Sequence, residues 1–234
     1  MAPKKSLDFE RPLTTVDIVI FTVVADALHV LLSRRPDEPA EPFPGRRALP
    51  GGFVDVARDA SLHACALRKL REKTGVSAPY LEQLGSWGSA TRDPRGWSAT
   101  HAWFAMVCET QDQVAGSAEH EWVKADIACR RKLAFDHAEI LVAALTRLRA
   151  KVEYTSLPAF LLAEPFTLPQ LQRMYEIVLD RPLDKSAFRK RMLDAAFLEE
   201  AGGITGTSGR EAMGYRLRNR SQATVFPRTF RSGE

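Results

Sequence analysis

Two different periods of apolar residues run along this chain, and they change over near residue 150. Before that point, short β-branched runs such as Thr15–Val24 and His29–Ser33 alternate with turn residues, which is the pattern of strands. Ser61 to Thr74 breaks the series. There Leu62, Cys65, Ala66, Leu67 and Leu70 recur at helical spacing and Gly75 supplies a stop, so a helix is predicted. From Tyr80 to Glu109 the strand pattern returns. After Pro165 the pattern is almost wholly helical. An amphipathic helix over Pro169–Leu179 meets the short turn Asp180-Arg181-Pro182-Leu183, and Asp184 is placed as the N-cap of a second helix. Phe188, Met192 and Leu193 give that helix an inward stripe, while Lys185, Ser186, Arg189 and Lys190 look outward. Phe197–Glu200 and Met213–Arg218 then predict a two-stranded ribbon, with Thr207, Ser208 and Arg210 at its glycine-rich tip.

The segment Lys151–Pro165, KVEYTSLPAFLLAEP, mixes prolines with apolar residues and is read as a linker. It divides a strand-rich domain over residues 1–150 from a helical one over 166–222, and residues 223–234 are expected to form a flexible tail. At 234 residues, 45% hydrophobic and 26% charged, the chain can bury one large core or two smaller ones. No apolar run reaches membrane-spanning length, and the start MAPKKSLDFERP lacks the apolar stretch of a signal peptide. Cys65, Cys108 and Cys129 stand apart without CxxC spacing. They read as buried thiols of a cytoplasmic protein with no zinc site.

Charge sharpens this division. The net charge is only +4, weak evidence for a polyanionic partner taken alone. Residues 165–234 hold twelve Lys or Arg against eight Asp or Glu, so the whole excess sits in the C-terminal part. A lone basic helix is more often a solvated surface. Helix, short turn, capped basic helix, glycine-rich ribbon and basic tail in that order, however, predict a winged helix, in which the second helix enters the DNA major groove. Lys185, Ser186, Arg189 and Lys190 are the expected groove and phosphate contacts, with Arg173 and wing residue Arg210 as second choices.

Residues 49–76, LPGGFVDVARDASLHACALRKLREKTGV, resemble a Nudix box. Gly52, Arg68, Leu70, Glu72, Gly75 and Val76 fit its frame if two extra residues lie between Gly52 and Arg68. Two of the usual metal-binding glutamates are replaced by Lys69 and Lys73. Residues three and four apart on a helix share a face, so Lys69, Glu72 and Lys73 are expected to project together. Mg²⁺ wants oxygen ligands, and an ammonium group offers neither lone pairs nor negative charge. The frame is kept and the metal chemistry is not.

TRDPRGWSATH at 91–101, LAFDHAEIL at 133–141 and FTLPQLQRMYEIVLDRPLDKSAFRKRML at 166–193 extend the resemblance to nearly the full length. Together with the altered box, these segments resemble the Nudix-related transcriptional regulators of NAD metabolism, the NrtR family. The resemblance implies an α+β protein: an N-terminal Nudix α/β/α sandwich with a mixed sheet, then a C-terminal winged helix-turn-helix domain. It further implies a homodimer on a palindromic double-stranded operator, repressing genes of NAD synthesis or salvage. The effector is ADP-ribose or a related NAD-derived nucleotide, with no required cofactor, no metal and no catalytic residue.

Several residues suit such a ligand chemically. Its diphosphate needs fixed cationic donors, which Arg34, Arg35, Arg46 or Arg92 could supply. Its adenine needs a flat apolar partner, for which Phe21, Trp87 and Trp97 are candidates. Asp93 and Arg95 lie in the RDPRGW turn, and Asp136 and His137 in the AFDH loop. Phe21 and Trp87 fit a core role as well, and Arg34 or Arg35 could pair with Asp37 or Glu38. Two other classes of function stay open at this point. One is an active ADP-ribose pyrophosphatase using Glu72 with Asp55, Asp59 or Glu109, marked by metal-dependent AMP release. The other is an interaction module, marked by affinity for neither nucleotide nor DNA.

Overall fold

A computed structural model describes residues 10–75, 80–108, 119–205 and 211–230. Strand β1 (Leu13–Val24) turns directly into β2 (Ala27–Arg34), with Ala25 and Asp26 at positive φ in the tight turn. The short strands β3 (Arg47–Ala48) and β4 (Gly51–Phe53) precede helix α1 (Leu62–Thr74). Strands β5 (Tyr80–Ser89), β6 (Ser98–Met106) and β7 (His120–Lys124), helix α2 (Ala125–Ala128) and the long helix α3 (His137–Val152) complete the first part. The seven strands form one mixed sheet in the order β3-β2-β1-β6-β5, with β4 paired to β1 and β7 to β2. The β1/β6 pair is parallel and the other pairs are antiparallel.

The period-two pattern of β1 explains the layering. Val16, Ile18 and Ile20 point to one face, where they pack with Cys65, Ala66 and Leu70 of α1. Val19 and Phe21 point to the other, where α3 supplies Ile140, Leu141, Ala144 and Leu148. Alternation on a pleated strand feeds both faces, so β1 is buried on each side and the sheet is sandwiched between helices. Helix α1 begins where the Ser61 hydroxyl accepts the Ala64 N–H at 3.1 Å. It ends at Gly75, whose φ of 70° closes the helix onto the Arg71 carbonyl.

The expected linker is packed. Helix α3 runs to Val152, and a 3-10 helix over Leu157–Leu161 buries Leu157, Ala159, Phe160 and Leu161. Pro158 sits at the start of that helix, where its missing N–H costs nothing. The prolines therefore punctuate a buried connection.

Helices α4 (Leu168–Leu179) and α5 (Lys185–Asp194) follow, then the hairpin of β8 (Leu198–Thr205) and β9 (Glu211–Leu217). A capping box between Thr167 and Gln170 starts α4, and the Asp184 carboxylate caps α5 by accepting the Ala187 N–H at 2.7 Å. Phe166 pairs with Tyr215 through two backbone hydrogen bonds of 2.9 and 2.8 Å, an isolated bridge that ties the start of α4 to the hairpin. This is a winged helix, and it does not stand apart from the sheet domain. One hydrophobic cluster runs from Phe21 and Phe104 through α3 to Tyr175, Phe188, Met192 and Tyr215.

Two sequence expectations fail here. Leu193 was placed inward but is 41% exposed: Phe188 and Met192, four residues apart, share the buried face, and the next residue is rotated about 100° away from it. Residues 223–230 do not form a flexible tail. Val225 bridges Thr155, Phe226 N–H donates to Tyr154 O at 2.7 Å, and Phe230 N–H donates to Glu153 O at 2.9 Å. Phe226 is buried, and Phe230 packs on Tyr175 and Phe188. Two aromatics four residues apart supply enough apolar area to hold the segment down. Residues 231–234 lie outside the described ones.

Candidate functional site

A cleft of about 410 Å³ opens between β5 and the N-terminal end of α3, lined by Phe43, Trp87, Arg92, Phe135, Asp136 and Glu139 among others. Its volume falls in the range of small-molecule sites, ~300–1,000 Å³. The rings of Phe43 and Phe135 meet edge to face at 4.9 Å. Trp87 is held in place by an Nε1–H bond to Glu139 Oε1 at 3.1 Å. Three arginines stand over these rings: Arg35 and Arg92 over Phe135, and Arg46 over Phe43. Flat aromatic faces beside guanidinium groups suit a base joined to phosphates.

Beneath the cleft lies a buried polar network. Arg92, with a side chain 5% exposed, donates from Nε and Nη2 to the two oxygens of Asp136, each at 2.8 Å. Its Nη2 also reaches Asp17 Oδ2 at 3.4 Å. His137 Nδ1 accepts the Leu49 N–H at 2.9 Å, so its proton sits on Nε2, 3.4 Å from Asp17 Oδ2. Burial pushes the Asp17 carboxyl up, but His137, the Thr100 hydroxyl and Arg92 outweigh it and hold the group below the usual carboxylate range. Gly51 has to be glycine here, because a Cβ would meet Asp17 Oδ1 at 2.3 Å and the Val16 carbonyl at 2.4 Å. The network therefore fixes the start of α3 against β1, and Arg92 is engaged within it rather than free for a ligand.

The other expected ligand residues divide. Trp87, Arg92 and Asp136 line the cleft, and His137 stands behind it. Arg35 is tied to Glu41 and to the Pro42 carbonyl, and Arg34 pairs with Asp37 at 3.3 Å. Arg46 is exposed and, among the described residues, has no carboxylate partner, only the Phe43 ring. Asp93 is buried and held by both side-chain and backbone nitrogens of Arg95, whose guanidinium lies over Phe53. That pair braces the RDPRGW turn. Trp97 is 51% exposed, packs by Gly88 and is not among the cleft residues. Phe21 is fully buried in the core. Sequence reasoning missed Asp17, Phe43, Phe135 and Glu139; an aspartate inside the apolar run TVDIVI was the available signal for the first.

The box face carries different chemistry from that of a metal enzyme. Arg68 grips both oxygens of Asp59, at 2.7 and 2.6 Å, and donates to Glu72 at 3.1 Å. The Arg68 hydrogen bonds hold the Asp59 carboxyl far below its usual range. Lys69 Nζ lies 3.7 Å from the other Glu72 oxygen, whereas the charge of Lys73 acts on His120 of β7, whose imidazole is pushed down by burial and then by that lysine. Asp55 accepts the Ala57 N–H, and Glu109 lies outside the described residues. Asp59 and Glu72 are each already paired with a cation, and Lys69 stands beside Glu72 where a ligand oxygen would be needed. This donor set does not fit Mg²⁺. Burial and the neighbouring Asp59 push the Cys65 thiol up to about 11, which leaves it an inert core side chain.

On the winged helix, Lys185, Ser186, Arg189 and Lys190 are all exposed along α5. Arg173 is differently engaged: its Nε donates to Asp26 at 3.1 Å, joining α4 to the β1–β2 turn. Arg210 lies outside the described residues.

A sheet sandwich built around an altered Nudix box and continuous with a winged helix defines a Nudix protein of the regulator type. The NUDIX domain pattern matches residues 13–144, and the NrtR DNA-binding winged helix domain pattern matches residues 158–217. The chain is 44% identical over 230 residues to the ADPR responsive transcriptional repressor NtrR of Acinetobacter baylyi, spanning 97% of this chain and 91% of that protein. Shewanella oneidensis NrtR complexed with a 27mer DNA superposes with a TM-score of 0.84 at 39% identity, over 92% of this chain and 98% of that one. The NUDIX domain of the same Shewanella protein complexed with ADP ribose is 42% identical, with a TM-score of 0.52, over 60% of this chain and 90% of that domain. The chain belongs to the NrtR family of Nudix-related transcriptional regulators.

Proposed function

We propose that this protein is a DNA-binding repressor of NAD synthesis or salvage genes whose Nudix domain binds ADP-ribose without cleaving it and thereby weakens operator binding. The observation that carries the reading is helix α3. Asp136 and Glu139 at its start line the cleft, and Glu153, just past its end, receives hydrogen bonds from Arg191 of α5 and from Arg181. Sixteen residues of helix span ~24 Å, so one rigid element touches both the ligand cleft and the recognition helix.

In this reading adenine stacks among Trp87, Phe43 and Phe135 while Arg46 meets the diphosphate. Arg92, Asp136 and His137 hold the cleft in shape, and Lys185, Ser186, Arg189 and Lys190 meet the operator. Two copies of the chain would occupy a palindromic site in the cytoplasm, since two-fold protein symmetry matches two-fold DNA symmetry. A ligand releases DNA only by favouring a state that binds it less well; a coupling of ~1–3 kcal/mol changes affinity ~5–150-fold.

The test is a phosphorus NMR spectrum of ADP-ribose with Mg²⁺ before and after adding the protein. Broadened or shifted diphosphate signals with no new peaks are expected. Appearance of AMP and ribose-5-phosphate would make the protein a hydrolase and overturn the reading.

A further inference from the structure

The C-terminal segment creates a second recess, of which the assignments made so far use only Lys190. It is a groove of about 830 Å³ between α5 and residues 226–230. Arg191 of α5 lines it, with its guanidinium 3.9 Å from the centre of the Phe230 ring and 5.0 Å from that of Phe226. A guanidinium has five N–H donors. Here its one described hydrogen bond is to the Glu153 carbonyl at 3.4 Å, and among the described residues no carboxylate lies within ion-pair distance of it. Burial pulls its pKa down, and the charges of Tyr175 and Glu153 only partly offset that loss of water. Lys190 and Arg228, both exposed and without a carboxylate partner among the described residues, line the same groove, and Arg181 lies at its edge, paired with Glu153. Of its two acidic side chains, Asp184 is committed to capping α5, while Asp194 remains exposed.

We propose that this groove binds a phosphate group through Arg191, Arg228 and Lys190, and that in the operator complex the occupant is a phosphate of the DNA backbone. The proposal rests on the DNA-binding reading and adds to it a contact from outside the winged helix. Lys190 belongs both to the groove and to the exposed basic face of α5, so a duplex lying along α5 passes the groove mouth. Arg228 is carried by a segment whose backbone bonds join it to Glu153, Tyr154 and Ser156. The clamp is thus anchored at the end of α3, and a shift of that helix moves it.

The experiment is a fluorescence anisotropy titration of the full-length protein on a labelled operator duplex, recovered with the protein from a random-sequence pool, across a series of salt concentrations. Each phosphate contact contributes a slope of ~0.9 in log K against log salt. Arg228→Ala is expected to weaken binding at every sequence and to reduce the slope by about one, while Arg191→Lys, which keeps the charge but loses the guanidinium fork, is expected to weaken binding with a slope near the parental one, both with unchanged urea midpoints. A proton–nitrogen NMR titration with inorganic phosphate in the absence of DNA forms the second arm. A parental slope in Arg228→Ala overturns the backbone contact, and shifts of groove residues by inorganic phosphate would then assign the groove to a free phosphate compound instead. An unchanged slope and no phosphate shifts overturn the site altogether. Arg189→Ala, run in parallel, separates the two failures: if it weakens binding while Arg228→Ala does not, the DNA-binding reading stands and the groove inference falls.

Discussion

Removing Asp136 tests whether the start of α3 is held by the buried network beneath the cleft. In Asp136→Ala, Arg92 loses two hydrogen bonds of 2.8 Å. It keeps Asp17 at 3.4 Å and the Ser98 hydroxyl at 3.5 Å. The guanidinium side chain is 5% exposed, so water cannot replace the missing carboxylate without opening the cleft. Truncating one partner of a buried pair costs ~3–5 kcal/mol. Because Asp136 itself is 19% exposed and Asp17 remains, we place the cost at the lower end, ~3 kcal/mol. With a urea dependence near ~3 kcal/mol per molar, the unfolding midpoint falls by ~1 M. Arg92→Met in the same chain should recover much of the loss, since an apolar pair of similar volume removes the stranded charge. A midpoint within ~0.2 M of the parent, or no recovery in the double variant, would place the pair in the surface class worth ~0–1 kcal/mol and refute the reasoning.

The cleft and the winged helix make separate predictions. Trp87→Ala should cost ~1–3 kcal/mol of ADP-ribose affinity by calorimetry, the usual worth of a base–aromatic stack; unchanged affinity would move the base elsewhere. Arg189→Ala should weaken operator binding by about 1–3 kcal/mol with folding intact, whereas Phe188→Ala should destabilise the fold by ~3–5 kcal/mol, both read by anisotropy alongside urea melts. Acid stability follows the carboxylates. The Asp17 pKa is depressed in the folded protein, so its contribution is full above the unfolded value of ~3.9 and is lost as pH falls through the lower folded value. Asp17→Asn should therefore flatten the fall in urea midpoint between pH 5 and pH 3, and an undiminished fall would show that Asp17 is not a source of it.

How much of this was legible in the chain depended on whether a feature was local. The box helix could be read because Leu62, Cys65, Ala66 and Leu70 follow one period and Gly75 ends it. Helix α4 could be read from its amphipathic period and α5 from the Asp184 cap. The RDPRGW turn was correctly located, but which of its charges face a ligand depends on partners far away in sequence: Arg92 is claimed by Asp136, 44 residues on, and by Asp17, 75 residues back. Phe43 and Phe135 become one aromatic wall only after the sheet closes. The segment 223–230 was misjudged because it follows the polar stretch 218–222 and carries no periodic pattern, while Phe226 and Phe230 find their partners in distant parts of the chain: Tyr154 after α3, Tyr175 on α4 and Phe188 on α5. Leu193 was misplaced by one residue of helical rotation.

The central claim is that ADP-ribose in the Nudix domain loosens the grip of the winged helix on DNA. Its most direct test is an anisotropy titration of the intact protein on its selected operator, with and without saturating ADP-ribose. The account predicts that ADP-ribose raises the operator Kd by ~5–150-fold. Superimposable binding curves would contradict it.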